Sequence, residues 1–127
     1  IFTGFVNEAE KKYLFEQTAL MVMPTLDETQ NHSIEGFGIA YLEAAFFGIP
    51  SIASNVGGTP EAVINNSTGL IIKSMDQLFF TMKSILVDKK KRQSLGRAAK
   101  ARSINNFNWN DVTKKYISTF DKITNSY

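Results

Sequence analysis

Apolar positions along the chain fall into short blocks with two different periods. "IFTGFV" (1–6), "ALMVMP" (19–24), "IPSIAS" (49–54) and "TGLIIK" (68–73) are runs of β-forming residues bounded by turn residues, which predicts four strands. Helical spacing fills the intervals. Asn7 followed by Glu10 predicts a capping box that opens a helix running to about Thr18. Ser74 and Gln77 repeat that spacing, and Met75, Leu78, Phe79, Met82, Ile85 and Leu86 then form a helical stripe. Asn108 is the candidate cap of a last helix carrying Trp109, Val112, Tyr116, Phe120 and Ile123 on one side. That stripe is expected in the core, or as the contact by which the last helix meets another domain. Short strands alternating with helices predict a parallel sheet covered on both faces. With right-handed crossovers this is a Rossmann-like, doubly wound α/β layer.

Composition narrows the class. A chain of 127 residues, 43% hydrophobic and 20% charged, is expected to form one globular domain with a real core over 1–127. The net charge of +2 leaves Lys and Arg nearly balanced by Asp and Glu, so nucleic acid is not an expected partner. Without cysteine there is no disulfide framework, thiolate metal site or thiol nucleophile. Glu43 and Pro50 interrupt the longest apolar stretch, and no basic-then-apolar signal segment opens the chain. The abrupt strand-like start reads as a piece of something larger, and the cytosol is the expected compartment.

"IEGFGIAYLEAAFFGIP" (34–50) places Glu35 and Glu43 in an otherwise apolar, glycine-broken stretch. A buried unpaired carboxylate is costly, so each must find partners, shift its pKa or serve a ligand. In a parallel sheet ligands bind beyond the carboxyl ends of the strands, and this segment follows one of them. A helix is expected to start near Gly38, with Ala40, Ala44, Ala45 and Gly48 allowing close approach to the sheet. Gly36 and Gly38 permit backbone shapes closed to other residues and expose N–H groups where an anion is favoured. Glu35 is then in the loop and Glu43 in the second helical turn. Eight residues of helix would leave them about 80° apart, lining one crevice. Acceptor-only carboxylates there suit a hydroxyl-rich ligand such as a sugar or a ribose. For either glutamate alone, the plainer reading is a charge at the helix's positive end or one facing water.

The dinucleotide fingerprint is absent, since Ala40 and Tyr41 stand where a third glycine would be needed. "NVGGTPEAV" is a second candidate ligand loop, with Gly57 and Gly58 leading into a helix that Thr59 can cap and Pro60 can open. Its alternative reading is a tight strand-to-helix turn. His32, the only histidine, lies in a polar loop and is expected to be solvated. "DKKKR" (88–92) reads as a solvated helix junction, or as a contact for an anionic membrane surface if the acceptor is a lipid. "LDETQNH" lacks the spacing of a calcium loop, so no metal and no cofactor is expected. "NNSTG" contains a glycosylation triplet too common to weigh.

Taken together, Glu35, seven residues, then Glu43, with "EGFG" at the start, followed by "GIPSIAS", "GGTPE" and a Gly-hydrophobic strand, resemble the donor-binding C-terminal half of retaining GT-B glycosyltransferases, the glycosyl transferases group 1 family. "SILVDKKKRQSLGRAAKARSINNFNWNDVTKKYISTF" is similar to that family's closing helices, so nearly the whole chain is covered. The resemblance implies transfer of a sugar from a nucleotide-diphosphate sugar to a glycan, lipid or small-molecule acceptor. It gives Glu35 the catalytic position, on hydroxyls of the donor sugar, and Glu43 the ribose hydroxyls. It also puts the amides around Phe37, Gly38 and Ile39 on sugar and diphosphate, and Gly36, Gly57 and Gly58 in the donor site. Such enzymes need no bound metal. The family's diphosphate-gripping basic residues and its acceptor-binding N-terminal domain lie upstream of the matching segment. The chain alone is therefore expected to be at best a weak donor binder. Phe46 and Phe47 stand where the family often has small residues, and fill a gap or expose an interface. The alternatives are a nucleotide-sugar epimerase, a glycoside hydrolase using the paired carboxylates, or a binding module without turnover.

Overall fold

The computed structural model describes residues 1–25 and 35–125. Strands β1 (Met21–Met23), β2 (Ser51–Ser54) and β3 (Gly69–Ile72) form one parallel sheet in the order β1-β2-β3. Helices α1 (Glu8–Gln17), α2 (Ile39–Phe46), α3 (Thr59–Ala62), α4 (Leu78–Val87), α5 (Lys89–Asn106) and α6 (Trp109–Thr124) surround or extend from it. Met21 pairs with Ser51 and Ser51 with Gly69, so the three strands start level. This is the expected α/β layer, with α2 and α3 as the crossovers.

Alternation along the strands divides the core. Ile52, Leu70 and Ile72 face Ile85 of α4 and Leu95 of α5, with Val22, Leu78 and Met82 packed around them. On the opposite side Ala53 meets Tyr41, Ala62 and Val63, flanked by Met21, Met23, Phe37 and Ile71. β2 is buried along its whole length, as a central parallel strand must be when helices cover both faces. Each fully buried Ile contributes about 1.5–3 kcal/mol of transfer free energy. α5 crosses close to the end of α2, where a Cβ on Gly96 would stand 2.1 Å from the carbonyl oxygen of Gly48.

Two of the expected caps form. Asn7 Oδ1 accepts from the Glu10 amide at 3.0 Å while Glu10 Oε2 accepts from the Asn7 amide at 2.9 Å. Asn108 Oδ1 accepts from the Asp111 amide at 2.9 Å. At "DKKKR", Asp88 Oδ1 caps α5 through the Lys91 amide at 2.9 Å. Arg92 donates to the carbonyls of Ile85 and Leu86 at 3.1 and 2.8 Å, closing the end of α4. The run thus joins two helices, with Arg92 on the last carbonyls of α4.

Four local expectations are corrected. "IFTGFV" forms no strand, because no described segment pairs with it, and Ile1, Phe2 and Phe5 are exposed. Ser74 makes no side-chain cap, since Gln77 Oε1 turns to the Lys73 amide at 2.8 Å. A 3-10 turn, Met75–Gln77, precedes α4, and only Leu78, Met82 and Ile85 of the stripe reach the core, while Met75, Phe79 and Leu86 are exposed. α6 forms, but its stripe is not core: none of its residues is buried, and Trp109 is 82% exposed. Helical periodicity specifies that a face is apolar, and says nothing of whether the chain supplies a surface to cover it.

Candidate functional site

Two loops at one end of the sheet meet backbone to backbone. After β1 the chain re-enters the described region at Glu35, and Gly38 caps α2 with φ +84°. A side chain is excluded there twice over, by that left-handed conformation and because a Cβ would lie 2.5 Å from the Tyr41 ring. Tyr41 is 1% exposed and its hydroxyl donates to the Met23 carbonyl at the end of β1. Burial, above all, raises its pKa, with the nearby Glu35 charge acting in the same direction and a hydrogen bond with Thr25 opposing. Tyr41 thus ties the first turn of α2 to the strand that points at the site.

The second loop, "NVGGTPE", supplies the other wall. The Gly58 amide donates to the Glu35 carbonyl at 3.0 Å, and Gly57 has φ +53°. Thr59 is the first residue of α3 and does not act as its side-chain cap, correcting that expectation. Its buried hydroxyl instead bridges the Ser54 and Val56 carbonyls and accepts from the Val56 amide at 3.4 Å. Competition from three backbone groups within five residues outweighs a single helix-end amide.

Glu35 and Glu43 occupy different surroundings. Glu35 Oε1 accepts from the Phe37 amide at 3.4 Å, a long bond. No described residue accepts from the Gly38 and Ile39 amides, which stand at the N-terminal end of α2. Glu43, in the second turn of α2, binds Lys11 of α1, with Nζ at 3.0 Å from Oε1. Lys11 also reaches Glu8 at 3.2 Å, and these two acidic partners raise its pKa, Glu43 foremost. Glu43 lines a cavity of about 520 Å³ between α1, α2 and α5, together with Lys11, Phe15, Phe46, Phe47 and Phe107. Glu35 is not in that lining, so the pair flanks α2 and its entry loop without sharing this cavity. Phe47 stacks on Phe15 at 5.2 Å, while Phe46 is exposed. His32 and the rest of "LDETQNHSI" lie outside the described residues.

Several residues that position these loops carried no local signal. Arg102 of α5 donates to the Glu61 and Ala62 carbonyls at 2.6 and 2.9 Å, closing α3 behind the second loop. Its guanidinium stands 4.7 Å from the centre of the Phe107 ring, and Phe107 packs at 5.6 Å on Phe37 beside Glu35. Lys11 lies 32 residues from Glu43, and Arg102 lies 40 and 41 residues from Ala62 and Glu61.

The described residues thus form a three-stranded parallel α/β layer with Glu35 in the loop that enters α2 and Glu43 in the second turn of that helix. The family model for glycosyl transferases group 1 matches residues 1–102. The chain is 31% identical over 116 residues to a GDP-mannose-dependent alpha-(1-6)-phosphatidylinositol monomannoside mannosyltransferase of Mycobacterium tuberculosis, covering 90% of this chain and 30% of that protein. Among solved structures it is similar to a sucrose-phosphate synthase from Thermosynechococcus elongatus, with a TM-score of 0.84 and 25% identity over 100% of this chain and 31% of that one. It shares its fold with Anabaena HepE, solved with UDP and glucose, at a TM-score of 0.80 and 20% identity over 96% of this chain and 32% of that one. The chain belongs to the glycosyl transferases group 1 family, and its layer is part of a Rossmann-like GT-B C-terminal domain. It spans about a third of the length of these relatives.

Proposed function

We propose that the chain is the donor-holding part of a retaining glycosyltransferase, which moves a sugar from a nucleotide-diphosphate sugar to an acceptor hydroxyl supplied from a separate N-terminal domain. The supporting observation is the order of groups along the chain: the Glu35 carboxylate in the entry loop, the amides of Gly38 and Ile39 at the start of α2, then the Glu43 carboxylate a turn further on. Glu35 accepts from hydroxyls of the donor sugar and so orients the anomeric carbon. The amides at the start of α2 face the diphosphate, whose charge grows as the bond from the anomeric carbon to the phosphate oxygen breaks. Fixed dipoles aimed at developing charge act without reorganising, so this leaving group can depart without a bound metal. Glu43 accepts from the ribose hydroxyls. Gly36, Phe37, Gly57 and Gly58 shape the wall around them. The relative named for GDP-mannose and the fold neighbour solved with UDP favour the nucleotide-sugar class as donor.

The test is ligand-observed NMR of the chain with UDP-glucose, UDP-N-acetylglucosamine, GDP-mannose and ADP-glucose, repeated with Glu35→Ala and Glu43→Ala. Binding of one donor that Glu43→Ala removes supports the assignment, with Glu35→Ala weakening the intact donor more than its free nucleotide. Unchanged binding in both variants overturns it. Product analysis with an acceptor then separates transfer, which frees the nucleoside diphosphate, from epimerisation, which leaves the sugar on its nucleotide.

A further inference from the structure

Glu43 sits on a half-exposed flank of a helix, where a glutamate has several rotamers open to it. Its carboxylate is nevertheless held, because Lys11 reaches Oε1 at 3.0 Å. Lys11 is itself held from its own helix, with Glu8 at 3.2 Å. Behind them, the Asn7–Glu10 capping box fixes the start of α1, and the Phe15–Phe47 stack at 5.2 Å docks α1 on α2. This is a continuous line of restraint from one helix to a single carboxylate on the next. Among the described residues nothing bonds Oε2, so the anchored carboxylate keeps an acceptor oxygen open beside the aromatic cavity.

From this geometry we infer that Lys11 is a positioning residue that fixes the Glu43 carboxylate for a vicinal diol, and so sets the preference of the site for ribonucleotides. The inference rests on the reading of Glu43 as the ribose acceptor. Lys11 acts through the Glu43 carboxylate that it holds. An ammonium on Oε1 also offsets the charge that a covering ligand would otherwise desolvate, so Oε2 can accept from a hydroxyl at lower cost.

The experiment is a titration of the chain with GDP and UDP, each against its 2′,3′-dideoxy counterpart, followed by ligand-observed NMR. Wild type, Glu43→Gln, Lys11→Met, Lys11→Arg and the Lys11→Met/Glu43→Gln double variant are compared, with thermal unfolding as the check that each is folded. Charge-assisted hydrogen bonds to two hydroxyls predict a roughly tenfold wild-type preference for the ribonucleotide, abolished in Glu43→Gln. Losing a half-exposed ion pair predicts a fall to about threefold in Lys11→Met, with Lys11→Arg close to wild type. The double variant is expected to match Glu43→Gln, since Lys11 has nothing left to act through. If Glu43→Gln abolishes the preference while Lys11→Met keeps it, the inference fails and the donor reading stands. A preference that rises in Lys11→Met shows the ammonium competing with the ribose, and also overturns it. A wild-type chain without preference, or without binding, overturns the ribose reading and this inference together.

Discussion

The Gly58 amide donates to the Glu35 carbonyl at 3.0 Å, and a Cβ on Gly58 would stand 1.9 Å from the carbonyl oxygen of Gly36. The two loops that carry the candidate donor contacts are thus held as one surface, and the glycine is demanded by its neighbour. Gly58→Ala is expected to push the Glu35 loop away at a cost of about 1–3 kcal/mol, as for other overpacked sites. Nucleotide-sugar binding should weaken along with it. Urea unfolding and donor titration of the same variant measure both effects.

Thr59 is wholly buried and its hydroxyl serves the Ser54 and Val56 carbonyls. Thr59→Val keeps the shape and removes the hydroxyl donor from the Ser54 carbonyl, while the Val56 carbonyl keeps the Thr59 amide at 3.2 Å, for an expected loss of about 1–3 kcal/mol. Thr59→Ser restores the hydroxyl and should recover most of it. The denaturant midpoints of the two variants decide the matter.

Tyr41 joins α2 to β1 through the Met23 carbonyl and packs its ring under Gly38. Tyr41→Phe removes only the hydrogen bond and is expected to cost about 1 kcal/mol. Tyr41→Ala also opens a cavity and should cost about 3–5 kcal/mol. Differential scanning calorimetry of the pair separates the hydrogen bond from the packing.

Alkali should destabilise the fold through two groups. The Lys11 pKa is raised in the folded state, first by Glu43 and then by Glu8, so its ion pairs are fully present below the unfolded lysine value of ~10.4 and lost as pH rises through the folded one. The Tyr41 pKa is raised mainly by burial. Above the unfolded tyrosine value of ~10, the unfolded state therefore sheds a proton that the folded state keeps, and stability falls. Urea midpoints between pH 8 and 11.5 are expected to fall above about pH 10, the Tyr41 part being the larger because the Lys11 pair is screened by solvent. Lys11→Met and Tyr41→Phe should each flatten part of that drop.

Most signals that depend on neighbours within four residues were legible. Asn7–Glu10 forms the capping box its spacing predicts, Asn108 caps α6 as expected, and the blocks at 19–24, 49–54 and 68–73 contain the three strands. The Ser74–Gln77 spacing failed because a glutamine side chain can reach a different amide one residue earlier, and Gln77 takes that of Lys73. "IFTGFV" has strand-forming residues, but a strand exists only as part of a ladder, and no described partner lies beside it. The same holds for α6, whose apolar stripe was readable while its exposure was not.

The sequence by itself determined the alternation of elements, hence the parallel layer, and placed Glu35 and Glu43 around the start of one helix, because periodicity and capping are local properties of the chain. Only the tertiary structure decided that Lys11 holds Glu43, that Arg102 closes α3, and that Gly58 abuts Gly36. Those pairs are set by the distance and angle at which packed elements meet. A salt bridge, a carbonyl clamp or a backbone contact across 22 to 41 residues leaves no periodic trace in the residues between.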